Sequence, residues 1–210
     1  MKKIFLYLYP IQEYNRSFEI SDVILEQLGR ENPYKVLNEC IQKRYRDKGY
    51  KIVYALYPDK SIYGINSLPG DQIIYTDVTF KQASGYNGDG SKKQDKDIRY
   101  PNESYLVQHL GDFDEIVIGG FHFSDCVRRV AEYCYHCGFV TLVDLDLTDL
   151  FFNLYHKQDY FKIDEYCPQK YRNYVLSNNR FGTEEMAIRL FERNYNSPVF
   201  GFENSKIRKR

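Results

Sequence analysis

The chain carries no net charge: 29 basic residues balance 29 acidic ones. That balance removes any broad attraction to nucleic acid or to a membrane surface, and neither is expected as a partner. The basic ending "SKIRKR" reads as a solvated terminus. No apolar run approaches membrane-spanning length. The short apolar stretch after Met1, Lys2 and Lys3 stops at Pro10 and Gln12 without a small-residue cleavage site, so it reads as a first strand and not a leader. Tryptophan is absent, and the five cysteines are odd in number with no disulfide-rich spacing. Free thiols in a reducing cytoplasm are therefore expected. No phosphate-loop pattern of the GxxxxGK[ST] or GxGxxG kind follows a strand into a helix, and "GYNGDG" reads as flexible loop. No internal repeat stands out.

What the sequence does contain is alternation. Short apolar, β-rich runs, "KIFLYLYP", "KIVYALYP", "DQIIYTDV", "DEIVIGGF" and "FVTLVDLDL", are separated by helical patterns. Such alternation predicts α/β architecture, a three-layer α/β/α sandwich around a mostly parallel sheet. Helices are expected at about 21–28, 34–48, 101–110, 124–137 and 183–193, with a further helical stretch after Thr148 and a last strand at "PVFGF". Gly49 suits a helix C-cap. At 210 residues and 43% hydrophobic content the chain reads as one domain. Within it, 81–99 lacks periodicity and reads as a flexible loop, and an irregular, tyrosine-rich piece is expected from about 151 to 179. The 21 tyrosines are taken as compositional bias rather than chemistry.

The densest segment is "GGFHFSDCVRRVAEYCYHCGF" at 119–139. Cys126 falls in the first turn of the helix after the fourth strand, beyond the carboxyl end of the sheet, where open α/β folds bind ligands. A helix start lowers a thiol pKa; Arg128 and Arg129 help, and Asp125 opposes. An inert buried thiol is the plain alternative. His122 stands at the same rim, either as a satisfied histidine or as a base for Cys126. Cys134, His136 and Cys137 form a CxxC, but no second pair exists to complete a zinc site. Cys134 shares a helical face with Val127, Val130 and Ala131, as a core stripe does. Asp144 and Asp146 point to one side of their strand, with Asp149 nearby, so a divalent cation or a metal-free acidic cluster are both open there.

Gly120, Cys126, Val127, Ala131 and Gly138 reproduce a recognisable pattern: a glycine ending a strand, a cysteine six residues on, valine next, then alanine and a closing glycine. In this the chain resembles a divergent member of the isochorismatase-like cysteine hydrolases, and the order of preceding elements is similar too. The resemblance implies that fold and a Cys, Asp and Lys triad. Cysteine would attack a carbonyl carbon, Asp at the end of strand one would act as base, and Lys after strand three would stabilise charge. Gln12 matches the strand-one motif, but Pro10 stands where its aspartate should. Glu13 is the nearest carboxylate, about 10 Å further along an extended chain. The expected lysine position falls near Thr76 and Asp77; Lys81 and Lys96 follow. Family members with a metal site carry an Asp and His pair after strand two; Tyr57, Pro58 and Asp59 lack the histidine, so neither a metal nor a cofactor is implied.

Two functional readings stay open. One is a cysteine hydrolase acting on a small amide or related C–N bond. It takes Cys126, Lys81 and His122 as catalytic residues and Gly120, Asp125, Gln12 and Glu13 as binding residues, with the amides of Asp125 and Cys126 or their neighbours as oxyanion donors. The other is a catalytically degenerate relative that binds a small molecule or a partner chain. The resemblance also implies association into homo-oligomers.

Overall fold

In a computed structural model, residues 1–15, 31–148, 160–178 and 197–201 are described. The helices expected at 21–28 and 183–193, the stretch directly after Thr148 with Asp149, and the basic ending lie outside the described residues.

Five strands form one sheet: β1 (Lys3–Leu8), β2 (Lys51–Leu56), β3 (Gln72–Tyr75), β4 (Glu115–Gly120) and β5 (Val140–Thr148). Their order is β3-β2-β1-β4-β5 and every pairing is parallel. The three central strands, β2, β1 and β4, were legible as nearly unbroken apolar runs because both faces are covered. Alternate residues feed two cores. Leu6, Leu8, Val53, Ile116, Ile118 and Val143 pack against α4 (Glu103–Gln108) and α5 (Arg128–His136). Phe5, Tyr7, Ile52, Tyr54 and Val117 pack on the other face against α2 (Pro33–Cys40) and its continuation. The result is the three-layer arrangement expected.

Local chemistry accounts for the helix ends. The Asn32 side chain caps α2 by accepting from the Tyr34 N–H at 3.0 Å, and Pro33 fits the first turn. The helix continues through a π turn at Ile41–Tyr45 and a 3₁₀ turn at Arg46–Lys48, then stops at Gly49 in the left-handed region. The segment at 81–99 begins with α3 (Phe80–Ala83), whose Thr79–Gln82 capping box is complete. It then folds back through a Tyr86–Lys92 bridge. In α5, Val130, Ala131 and Cys134 are buried, so Cys134 is core.

Two expectations about the C-terminal quarter are corrected. The piece expected to be irregular contains α6 (Pro168–Asn178), opened by its proline and anchored by buried Tyr171. "PVFGF" is not a strand: Pro198–Phe200 is a single 3₁₀ turn ended by Gly201 at φ 64°, with Phe200 set against Phe123.

The second core contains an unusual feature. Asp144 and Asp146 do share one side of β5, but they face inward, 0% and 2% exposed. Arg44, 3% exposed, lies between them. Its Nη1 donates to both Asp144 oxygens at 3.2 and 3.0 Å and to Asp146 Oδ2 at 3.0 Å. The Tyr45 hydroxyl donates to Asp144, and the Tyr160 hydroxyl to Asp146 at 3.3 Å. The rest of the guanidinium donates to the carbonyls of Lys162 and Ile163. A guanidinium thus supplies the positive charge for which a divalent cation was one sequence-level option.

Candidate active site

Strands β2 and β3 lie on one side of β1 and β4 and β5 on the other, so the chain reverses its winding direction between β1 and β4. In open α/β sheets the crevice at the carboxyl ends of such a pair is where ligands bind. Two local features shape it here. β4 ends on Gly120 at φ 102°, where an added Cβ would lie 2.1 Å from the Leu8 carbonyl oxygen, so only glycine lets the two strands approach there. β1 is followed directly by Tyr9, the one non-glycine residue with positive φ (56°) among those described. Tyr9 is buried and stacks on Tyr57 with ring centroids 4.6 Å apart.

Beyond these ends opens a cleft of about 480 Å³. Cys126 and Asp125, from the π turn Phe123–Val127, form one side with His122. Tyr14 and Glu13, from the short α1 (Gln12–Asn15), form another with Tyr57. The third wall is Phe80, Ala83, Ser84, Gly85 and Tyr86 with Tyr100, so part of the expected loop at 81–99 is a wall of the cleft.

The cleft is strongly aromatic. Tyr14 stacks on Phe121 at 5.5 Å and meets the His122 ring edge-on at 4.8 Å. The Tyr14 and Tyr57 hydroxyls are 3.3 Å apart and hydrogen-bonded. Lys60 pairs with Glu13 and sits 4.6 Å over the Phe80 ring. Arg129 pairs with Glu103, reaches Asp125 at 3.7 Å and lies 5.5 Å from the Tyr100 ring centre.

Cys126 is half-buried, and its thiol donates toward Asp125 Oδ2 at 3.9 Å. Burial, then the Asp125 charge, push the thiol up to about 12; Arg129 and the His122 backbone oppose this without prevailing. Position at a turn after the fourth strand was expected to favour a thiolate. Desolvation wins instead, and the resting group is a neutral thiol.

The sequence-level candidates divide cleanly. Cys126, Asp125, His122 and Glu13 come together in the cleft. Gly120 acts through backbone approach rather than contact with the cavity. Gln12 is exposed on α1, outside the lining. Lys81 is exposed on α3 and also outside it, its amide 3.4 Å from Asp59 Oδ2. Lys96 is exposed on a 3₁₀ turn at Asp95–Asp97. Arg128 is bonded to Glu132 at 2.8 Å, four residues along its own helix. The Asp125 amide, expected as an oxyanion donor, is donated to the His122 carbonyl at 3.2 Å. Sequence reasoning missed Tyr9, Tyr14, Tyr57, Phe80, Tyr86 and Tyr100; the abundance of tyrosine was the signal. Among the described residues no group of His, Cys, Asp and Glu could hold a metal ion, and no helix is long and apolar enough to cross a membrane.

No protein-family model matches the chain, and no curated protein matches it. Solved structures do. The chain is similar to N-carbamoylsarcosine amidase from Thermoplasma acidophilum, at 16% identity over 74% of this chain and 93% of that one, with a TM-score of 0.42. It is similar to pyrazinamidase of Pyrococcus horikoshii in complex with zinc, at 13% identity over 92% and 96%, with a TM-score of 0.41. An isochorismatase family protein is similar at 12% identity over 70% and 80%, with a TM-score of 0.39.

Proposed function

We propose that the chain is a divergent isochorismatase-like cysteine hydrolase acting on a small amide or related C–N bond, with Cys126 as nucleophile and Asp125 as its base. The observation carrying this is the thiol opening on an aromatic cleft with its S–H directed at a carboxylate 3.9 Å away. A neutral thiol is a poor nucleophile until its proton leaves, so the base must act during attack. The sulfur bonds to the carbonyl carbon, the C=O electron pair moves to oxygen, and the S–H proton passes to Asp125. Collapse of the intermediate breaks the C–N bond, and Asp125 returns the proton to the departing nitrogen. Water then hydrolyses the thioester by the same route, restoring the thiol.

A second reading, a catalytically degenerate binder of small molecules, is favoured by a different observation. Tyr9 and Pro10 follow the end of β1 without a carboxylate, and Lys81 stands outside the cleft.

A crossed effect of Asp125→Asn separates the two. Removing the neighbouring negative charge lowers the thiol pKa, so alkylation of Cys126 by iodoacetamide at pH 8 should become faster. Removing the base should slow ammonia release from small aromatic and aliphatic primary amides by at least about a hundredfold. Cys126→Ala should abolish that release. If wild type releases no ammonia from any of them, or if Asp125→Asn speeds both reactions alike, the hydrolase reading fails and the binding reading stands.

A further inference from the structure

The lining of the Cys126 cleft is unbalanced in charge. Among the described residues two carboxylates, Glu13 and Asp125, belong to it, and neither a lysine nor an arginine does. The rest of the lining is largely aromatic. Tyr86 and Tyr100 are 61% and 50% exposed, so ring surface is open to a ligand there. An aromatic face carries partial negative charge and attracts a cation without needing a hydrogen bond. The chain's own cations already use this combination. Lys60 pairs with Glu13 while lying 4.6 Å over the Phe80 ring. Arg129 reaches Asp125 at 3.7 Å while lying 5.5 Å from the Tyr100 ring centre. Each thus bridges one carboxylate and one ring of the lining from behind it. They offset only part of the negative charge, because Arg129 is shared with a further carboxylate, Glu103.

Resting on the hydrolase reading above, we propose that the cleft takes small amides carrying a positive charge, a quaternary or protonated amine, with Glu13, Tyr86 and Tyr100 as the residues that select it. Asp125 is left for the proton of Cys126. A neutral amide of the same shape gains the apolar contact with the rings but not their attraction for charge. An anionic amide meets the repulsion of both carboxylates, so the lining discriminates in two directions.

A matched pair of ligands tests this. (Trimethylammonio)acetamide and 3,3-dimethylbutanamide have the same shape and the same amide, and differ in whether the branched atom is a positive nitrogen or a carbon. Affinities are measured rather than rates, because the positive nitrogen also activates the neighbouring carbonyl. Both are titrated by calorimetry at low salt into the full chain carrying Cys126→Ala, which binds without turnover. The cationic amide should bind about tenfold more tightly than the neutral one. Adding Glu13→Gln should cut that preference to about threefold or less, while the neutral amide binds within about twofold of before. Tyr86→Leu with Tyr100→Leu, which keeps apolar contact but removes the rings, should do the same and serves if Glu13→Gln does not fold. A preference below about threefold at the outset overturns the assignment, and so does failure of both amides to bind. A preference untouched by either set of changes overturns it too, since the attraction would then come from elsewhere on the chain. An equal loss of both amides also overturns it, since these residues would then be wall alone. Ammonia release is followed separately on the wild-type chain. No release from either amide, with the preference intact in Cys126→Ala, removes the hydrolase reading and leaves the cation site standing. Release without a binding preference removes the cation site alone.

Discussion

Replacing Arg44 with methionine should destabilise the fold by about 3–5 kcal/mol, the usual cost of breaking a buried ion pair from one side. The reason is arithmetic of charge. Asp144 and Asp146 are sealed in the second core and share this single guanidinium. Methionine fills much of the space but leaves the Asp144 carboxylate, and above about pH 7 the Asp146 carboxylate as well, without a counter-charge, and two carbonyls, those of Lys162 and Ile163, without their donor. Urea titration of Arg44→Met against wild type measures the loss. Adding Asp144→Asn and Asp146→Asn to the same chain should recover much of it, because the groups then lose their charge together. A single-variant loss below about 1 kcal/mol would mean that the cluster contributes nothing beyond packing.

Asp146→Asn alone should change how stability depends on pH. Burial pushes the Asp146 carboxyl up to about 7, Arg44 opposes, and Asp144 adds to the rise; the Tyr160 hydrogen bond opposes it weakly. The folded value thus lies above the ordinary 3.8, and folding takes up a proton between the two. Stability from this group is complete below about 4 and is lost as pH rises through about 7, when the cluster passes from neutral to a net negative charge. On the order of 4 kcal/mol separates the limits. Wild type should therefore unfold at lower urea at pH 8 than at pH 5. Asp146→Asn keeps an oxygen for Arg44 and an amide for the Tyr160 oxygen, and should be flatter across that range and more stable than wild type at pH 8. A wild-type midpoint that climbs steadily from pH 5 to pH 8 contradicts this.

The fold was readable to the extent that it depends on local pattern. Runs such as "KIFLYL" and "EIVIGG" are apolar at every position because both faces of a parallel sheet are buried, and each proved to be a strand. Asp144 and Asp146 were correctly placed on one side of β5, but nothing local marks Arg44, a hundred residues earlier in the chain, as their partner. Long-range ionic contacts have no periodicity to read. "PVFGF" misled because its apolar content resembles a strand, while Pro198 and Gly201 leave room for one turn only. The helix at Pro168–Asn178 was hidden because Val175 and Leu176 are its only aliphatic residues besides Pro168, and its buried anchor is itself a tyrosine.

The site divides in the same way. The glycine and cysteine spacing places Cys126 at the sheet rim, and Gly120 is fixed by contact with the Leu8 carbonyl. The protonation state was not readable, since helix-start geometry argues one way and burial beside Asp125 the other, and only distances show which prevails. Nor was the aromatic wall. Tyr14, Tyr57, Tyr86 and Tyr100 come from separate parts of the chain, and a high tyrosine count does not say which of them converge.

The central claim is that the Cys126 sulfur is reachable from the cleft and forms a covalent bond to an acyl carbon. Brief exposure to p-nitrophenyl acetate, followed by intact-mass analysis and peptide mapping, measures this directly. The account predicts a single acetyl group on Cys126 that is absent from Cys126→Ala. Acetylation confined to the exposed thiol of Cys137, or no adduct at all, contradicts it.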